Sequence, residues 1–542
     1  MPERASTLAP LRFKVFRTFW ATSQVSNFGG LVQGVAAAWL MTSLTSSPSM
    51  IALVQASTSL PIMLFSLSAG ALADSFDRRK VMLVAQVFML VVSVALVAAA
   101  YTGILTPWTL LTFTFLIGLG TALNNPSWQA SIGDLIPRDH VPEAVSLNSM
   151  GFNLMRSVGP AVGGIIVAVF GAAAAFAVNA VSYVPFIAAL LGWKPAYPES
   201  TLPREAFTPA VAAGLRYVAM SPNLIRVMLR GMLFGLGAVS VMALLPLIAR
   251  DLIGGGALVY GTLLGCFGLG AICGGVMNAR LRQRLSSEAL VRWAFLGFAL
   301  AVLALSQSRS LWFSIPAVAV AGACWVLALS LFNVTVQLSS PRWVVGRTLA
   351  MYQMATFGGL AVGSWLWGSA ATATGLQGAL MAAAASLLLG AAVGFRLPLP
   401  EFGGLDLTPL DRFREPALQF DLRGRSGPIM IMIDYRIEPE NIPEFLAVMT
   451  ERRRIRRRDG ARQWVLLRDL EHPGQWTESY HVATWEEYLR HNMRRTKADA
   501  EIYDVLARLH QGPEPPLVHR MIERQSVYSH RDVPLKDATE HI

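Results

Sequence analysis

Charge is scarce in this chain of 542 residues: Asp, Glu, Lys and Arg together make up only 15%. A soluble domain usually carries about a quarter, so an ordinary water-soluble globule is excluded for most of the chain. Acidic side chains are scarcer still within the long apolar stretches, where Asp74, Asp134, Glu143 and Asp251 all stand near the ends. Cysteine is nearly absent, and the three present, Cys266, Cys273 and Cys324, all fall inside apolar runs. They read as free thiols serving as small hydrophobes, because no His or Cys partner stands at metal-ligand spacing beside them. A phosphate-binding Gly-x-x-x-x-Gly-Lys-Ser/Thr loop is missing too, which argues against ATP as a driving force. Neither a metal nor a cofactor is expected. No cleavable signal is expected either, since the first apolar run, after "LRFKVFRTFW", is too long for one.

What is present is hydrocarbon. Hydrophobic residues make up 54% of the chain and its mean hydropathy is +0.46. Runs of roughly 20 apolar residues, enough to cross ~30 Å of lipid, recur through the first 396 positions. Twelve are predicted: 17–43, 49–73, 80–102, 107–127, 144–170, 172–193, 223–249, 256–279, 288–308, 311–333, 347–371 and 375–396. The formal charge of +11 could indicate nucleic acid, but its distribution points elsewhere. With the N-terminus inside, the connections on that side carry Arg12, Lys14, Arg78, Arg79, Lys80, Arg280, Arg282, Arg284, Arg342 and Arg347 among others, and the opposite ones only Arg250 and Arg309. That bias sets membrane topology. An even number of spans then returns the C-terminus to the cytoplasm, and no nucleic-acid partner is expected.

A charged knot, "GALADSFDRRK" (Gly70–Lys80), interrupts the grease and recurs. "SLSAGALADSFDRRK" lies over "GAICGGVMNARLRQR" (Gly270–Arg284), pairing Gly70 with Gly274, Arg78 with Arg282 and Lys80 with Arg284, 204 residues apart. The same spacing pairs Pro137 with Pro341, Arg138 with Arg342, Gly159 with Gly363 and Gly164 with Gly368, and a nearby pairing sets Asn125 over Asn333. Each match is weak alone; in order and at nearly constant spacing they mark an internal repeat. Six spans per repeat give both halves the same polarity, a parallel repeat about an axis normal to the membrane.

This plan resembles that of major facilitator superfamily transporters. Gly70, Leu72, Asp74, Arg78, Arg79 and Lys80 match the cytoplasmic signature between the second and third helices, while Ser75 and Asp77 depart from it. "SVGPAVGG" is similar to the fifth-helix signature of exporters through Gly159, Pro160, Gly163 and Gly164. The ordering, soluble tail included, is most similar to the enterobactin-exporter-like branch, the transmembrane secretion effectors. The resemblance implies a secondary exporter of a small organic molecule (a siderophore, drug or other metabolite) working by alternating access, with ion coupling as in relatives. It also implies that Asp74 latches the inner face against a partner near Arg347. Small Gly70 would let the second helix approach a neighbour. For Arg79 and Lys80, simple anchoring of the loop accounts equally well.

Within the spans, Arg156 is the one deep charge this reading singles out, up to about 20 Å along its helix from Glu143. A charge at that depth normally faces a cavity or a partner, so Arg156 either faces a cavity, attracting an anionic substrate or pairing with a mobile proton, or bonds backbone carbonyls. Asn153 shares its face. Asn148, Gln33, Asn179, Tyr352 and Gln353 are further candidates for a central cavity, with interhelical hydrogen bonding as the alternative. Pro160 removes a hydrogen bond and kinks its helix, and the flanking glycines permit tight packing. The arginine often found in the fourth helix of proton antiporters is absent from "TFLIGLGTALNNPSWQA", so coupling rests on resemblance alone.

After Arg396 the composition changes. A Pro- and Gly-rich linker precedes elements ordered β-α-β-β-α-β, the split pattern of ferredoxin-like domains, resembling the dimeric barrels of antibiotic-biosynthesis monooxygenases. Its second helix is expected as one amphipathic stretch opened by Thr484 with Glu487 three residues on. "ERRRIRRR" reads as a basic face, either solvated or touching anionic lipid. His472, His481, His491, His510 and His519 match no ligand spacing. The expected fold is thus an all-α polytopic membrane protein of twelve helices in two parallel six-helix repeats, plus a small α+β domain. Its parts are an N-terminal tail 1–16, halves 17–193 and 223–396 joined by a linker 194–222, a second linker 397–427, the ferredoxin-like domain 428–525 and a polar tail 526–542. The protein is expected in the cytoplasmic membrane, not as an enzyme, with small-molecule substrate and lipid bilayer as partners and a dimer through the C-terminal domain as an option. The competing reading is a bifunctional protein whose tail is a monooxygenase-like or ligand-sensing module.

Overall fold

The computed structural model describes residues 9–137, 140–193, 207–341, 343–400, 406–407, 410, 413–416, 418–419, 422 and 424–522. It divides into two compact units. One comprises Met1–Thr208, Asn223–Val336 and Leu349–Phe402; the other comprises Pro209–Pro222, Gln337–Thr348 and Gly403–Ile542.

The first unit is helical throughout. In chain order its helices begin with α1 (Lys14–Leu44), α2 (Pro48–Ser75), α3 (Arg78–Tyr101), α4 (Pro107–Leu135) and α5 (Val141–Gly192). After the short α6 (Phe207–Ala219), most of which belongs to the second unit, come α7 (Pro222–Leu247), α8 (Ala257–Arg282), α9 (Ser287–Gln307), α10 (Leu311–Leu338) and α11 (Val345–Arg396). Local chemistry sets the boundaries. Asp77 accepts from the Arg79 amide at 2.9 Å to start α3. Thr106 and Thr109 form a capping box ahead of Pro107 on α4, and Ser286 caps α9 by accepting from the Ala289 amide.

α5 and α11 are each 52 residues long, more than twice what lipid thickness requires. Each is two helices joined at a glycine, Gly171 (φ 81°) and Gly375 (φ 79°), a backbone region open to glycine. These breaks fall where the sequence separates 144–170 from 172–193 and 347–371 from 375–396. They lie 204 residues apart, the spacing of the sequence repeat. Among the described residues, eight helices, the two bent ones included, are long and apolar enough to cross a membrane. The chain is therefore a multi-pass helical membrane protein.

Aromatic clusters pack the helices. Phe19 stacks on Trp128 with centroids 6.4 Å apart and meets Phe186 and Trp193 edge-on. Farther along, Phe234 meets Phe295 and Phe298 edge-on at 5.0 and 5.7 Å. Beside that second cluster lies a charge the sequence reading overlooked. Arg230, fully buried on α7, pairs with Glu288 at the start of α9 at 3.3 Å and lies over the Phe295 ring. Glu288 also accepts from the Leu399 amide at 3.0 Å. Arg156 is thus not the sole deep charge.

The second unit is built on a four-stranded antiparallel sheet in the order β2-β3-β1-β4, with β1 (Ile429–Arg436), β2 (Arg462–Arg468), β3 (Gln475–Val482) and β4 (Leu517–Ile522). Helices α12 (Ile442–Asp459), α13 (Trp485–Met493) and α14 (Lys497–Leu509) cover it. This is the ferredoxin-like order. Strand alternation works as expected: Ile429, Ile431, Ile433 and Tyr435 are buried, with half-buried residues between them. Thr484 caps α13 by accepting from the Glu487 amide. The single helix expected over 484–509 is instead two, because Thr496 begins a new one. Its backbone amide and hydroxyl both donate to the Asp499 carboxylate, at 3.0 and 2.7 Å. The expected linker 194–222 contains helix α6, whose Gly214 packs under the Arg347 side chain.

The basic run of α12 is solvated on one side only, where Arg453, Arg454 and Arg457 are exposed. Arg452, Arg456 and Arg458 are buried. Arg458 pairs with Asp459 and Asp499 and lies over the Tyr217 ring of α6, and Arg454 donates to the Met220 carbonyl. Arg452 Nε and Arg456 Nε converge on Glu478 at 2.6 and 3.2 Å. Burial by itself would raise the Glu478 pKa, but the two guanidiniums and the Trp464 indole N–H outweigh it and hold the carboxyl at about 2. A depressed folded pKa contributes stability above the unfolded value near 4.5 and loses it as pH falls through about 2. Glu478→Ala leaves two buried guanidiniums without their countercharge, an expected loss of about 3–5 kcal/mol. Thermal melting of the C-terminal unit within the detergent-solubilised chain checks this. Unchanged melting, or a wild type equally stable at pH 7 and pH 2, would contradict it.

Candidate functional site

The helix-five motif builds a seam. Pro160 cannot donate to the carbonyl four residues back, so the Arg156 carbonyl is left free, and it lies 2.9 Å from where a Cβ on Gly268 would sit. One turn on, a Cβ on Gly164 would fall 2.7 Å from the Gly261 Cα, and one on Gly265 would fall 3.1 Å from the Ala161 Cβ. Gly261, Gly265 and Gly268 on α8 therefore receive the Ser157–Gly164 face of α5, backbone against backbone. On its other side α5 meets α1: Cβ atoms on Gly159 and Gly163 would stand 2.9 Å from the Leu31 Cβ and 3.1 Å from the Val32 Cα. Lipid offers no hydrophobic drive between helices, so such close approach is what holds them. The α8 glycines went unread in the sequence, although their spacing of four and three in "GTLLGCFG" is the small-residue signature of a helix contact.

Arg156 sits at one end of this seam. Its guanidinium lies over two rings, Phe267 on α8 at 5.9 Å and Trp325 on α10 at 5.5 Å. It makes no hydrogen bond or ion pair with a described side chain. The Asn153 side chain lies outside the described residues.

The other candidates do not gather around Arg156. Asn179, fully buried, donates to Gln33 on α1 and to the Tyr183 hydroxyl at 3.1 Å, with Ser93 of α3 at 3.4 Å. Gln33 and Asn179 thus tie α1, α3 and α5 together. Asn148 accepts from the Trp128 indole of α4 at 3.3 Å. The Tyr352 hydroxyl, buried on α11, donates to the Leu329 carbonyl of α10 at 3.4 Å, and Gln353 is half-buried beside it.

Arg78 donates to Asp134 at 2.9 Å and to the Ala130 carbonyl at 3.0 Å on α4. Arg79 donates to the carbonyls of Leu190 and Leu191 at the end of α5, where a cation complements the helix terminus. Both arginines fasten α3 to neighbouring helices, α4 and α5. Lys80 is exposed, Leu72 half-buried, and the Asp74 side chain lies outside the described residues. A Cβ at Gly70 would meet no described atom within 4 Å. In this conformation the neighbours stand off, and the close approach expected there occurs instead along α5 and α8.

In the C-terminal unit the five histidines do not converge. His491 is buried against Arg456, His510 accepts from the Arg436 amide, and His519 pairs with Asp434. Among the described residues no three His, Cys, Asp or Glu side chains come together to hold a metal.

The model of the family described as transmembrane secretion effector matches residues 5–527, helices and tail alike. The chain belongs to this family. Its members are transporters of major facilitator type rather than enzymes, and its similar proteins agree. The multidrug efflux pump Tap of Mycobacterium bovis (strain BCG / Pasteur 1173P2) is 25% identical over 421 residues, 75% of this chain and 97% of the pump. The staphyloferrin A transporter of Staphylococcus aureus (strain NCTC 8325 / PS 47) is 24% identical over 257 residues, 47% of this chain and 64% of that protein. The macrolide efflux protein A of Streptococcus pyogenes is 25% identical over 284 residues, 47% of this chain and 66% of that protein. The chain thus spans just under two thirds of each of the last two. A solved bacterial homologue of the human lysosomal transporter Spinster, inward-facing and unoccupied, superposes with a TM-score of 0.60 at 15% identity, covering 72% of this chain and 97% of that one. That likeness is one of fold.

Proposed function

We propose that this protein is a secondary transporter that exports a small organic molecule across the cytoplasmic membrane by alternating access. In this reading twelve spans form two parallel six-helix halves, both termini are cytoplasmic, and coupling to an ion follows the major facilitator habit. The α5–α8 seam is the observation that carries it. Helices of opposite halves meet there through glycine backbones with little side-chain interlock, a contact that can part and re-form. Gly171 and Gly375, placed alike in the two halves, support the repeat. The likeness to an inward-facing structure supports reading the closed seam as the outer gate of an inward-facing state. Arg156, facing aromatic rings across the seam, is then the cationic group that an anionic or oxygen-rich substrate would meet. A dimer through the C-terminal unit is part of this reading, supported by exposed apolar residues on both edge strands, Val465 and Leu467 on β2 and Leu517 and Met521 on β4.

The similar proteins direct the test. Cells expressing the chain are exposed to a panel that includes macrolides and staphyloferrin A, and cellular accumulation is followed. Lower accumulation of at least one compound is the expected result. Accumulation unchanged for the whole panel, in cells whose membranes contain the protein, counts against export.

A further inference from the structure

The core of the C-terminal unit contains something a packed α+β domain has no need of. Between the sheet and its helices lies a cavity of about 360 Å³, within the size range of small-molecule sites. Its walls include three arginines, Arg452 and Arg456 from α12 and Arg495 ahead of α14. No Asp or Glu is among its lining residues. One countercharge, Glu478, is engaged through the Nε atoms of Arg452 and Arg456, and Arg456 Nη1 bonds His491 Nε2 at 2.9 Å, which leaves the Arg452 terminal nitrogens and Arg456 Nη2 for another acceptor. Arg495 donates to Asn492, and its Nε has no hydrogen-bond partner among the described residues.

Three guanidiniums against one carboxylate leave an excess of two positive charges in a largely buried place. A buried charge is costly unless paired. The surroundings register this field: burial, and then the charges of Arg456 and Arg495, push the His491 pKa well below its ordinary value. Arg520 and Arg414 stand exposed at the rim, adding attraction for an anion.

The cavity also has a flat side. The Tyr503 ring is flanked by Arg452 at 4.7 Å, Arg495 at 4.8 Å and Arg456 at 5.9 Å. Tyr480 lies under Arg456 at 4.6 Å. Stacked guanidiniums and tyrosines hold each other's orientation, so the forks are set before any ligand arrives. Planar forks suit phosphate and carboxylate oxygens, and aromatic walls suit a planar body.

We propose that this cavity is a binding site for a small organic dianion, a phosphate monoester or dicarboxylate carried on a planar ring, distinct from the transport pathway. Its class follows from two excess positive charges, forked donors and tyrosine walls.

Isothermal titration of the full chain in detergent tests it, with phenyl phosphate as probe, inorganic phosphate as the ringless counterpart and benzyl alcohol as the uncharged one. Phenyl phosphate is expected to bind saturably, more tightly than inorganic phosphate, with benzyl alcohol inert and affinity falling as salt rises. Arg495→Gln is expected to weaken phenyl phosphate at least about tenfold, the loss of one charge-assisted hydrogen bond. Tyr503→Leu is expected to weaken phenyl phosphate more than inorganic phosphate. Should Arg495→Gln melt early, the exposed Arg520→Gln, which gives up one hydrogen bond to the Tyr488 hydroxyl, is expected to weaken binding and flatten the salt dependence in protein that melts like wild type. No saturable binding of phenyl phosphate would overturn the site. So would binding that ignores these substitutions in protein that melts like wild type, since the probe would then sit elsewhere. Equal affinity for the two phosphates would overturn the planar-ring assignment.

Discussion

Gly261→Leu is expected to abolish transport while the protein still inserts and folds. A Cβ at this position would lie 2.6 Å from the Gly164 Cα and 2.9 Å from the Pro160 carbonyl oxygen. Those neighbours are backbone, so no side chain can swing aside, and a leucine forces α5 and α8 apart. Overpacking of a tight contact typically costs about 1–3 kcal/mol. That is enough to depopulate a state in a protein whose alternative conformations differ by a few kcal/mol. The variant would rest with the seam open, and a transporter confined to one side of its cycle does not turn over. Gly164→Leu should do the same from the facing helix. Gly30→Ala and Gly133→Ala, where a Cβ meets no described atom within 4 Å, serve as controls and should transport normally. Transport by Gly261→Leu at the wild-type rate per folded molecule would show that the seam does not have to close.

Arg156→Met should come next in severity. Removing the guanidinium lifts the cost of a charge deep in a span and forfeits contact with Phe267 and Trp325, worth about 0.5–2 kcal/mol. These effects oppose each other, so the melting temperature in detergent should hardly move while transport falls by more than tenfold. Arg156→Lys keeps a cation but loses the planar fork that stacks on rings and grips oxygens in pairs; it should fold and transport poorly. If instead both variants melt lower and transport declines only with the amount of folded protein, Arg156 is a structural residue and the substrate-facing role is lost.

How much of this was legible beforehand depended on whether the signal was local. The start of α13 was, because Thr484 acts on an amide three residues away. So were the breaks at Gly171 and Gly375, which interrupt the apolar runs. The strand order of the tail followed from alternation of positions such as Ile431 and Ile433. What failed depended on partners remote in sequence. Nothing near "ERRRIRRR" announces that Glu478 will meet Arg452 and Arg456, so the buried side of the run was missed while its exposed side, Arg453, Arg454 and Arg457, read as a surface face. Asn179 and Gln33 carry the same polar groups whether they line a cavity or join helices, and only packing chose the second. Gly70 matched a motif, yet a Cβ there would meet no described atom within 4 Å, while Gly261 matched nothing and meets the α5 backbone directly. Arg230 was overlooked because its partner Glu288 lies at the start of another helix.

The central claim, export by alternation of two halves across the α5–α8 seam, is tested most directly in everted membrane vesicles. In these the cytoplasmic face is outward, so an exporter moves its compound into the lumen. Uptake of a compound found by the accumulation screen is measured for the wild type, Gly261→Leu and the Gly133→Ala control. The account predicts energy-dependent uptake by the wild type and the control and none by Gly261→Leu. Equal uptake by all three, or uptake that the wild type supports only in right-side-out vesicles, would contradict it.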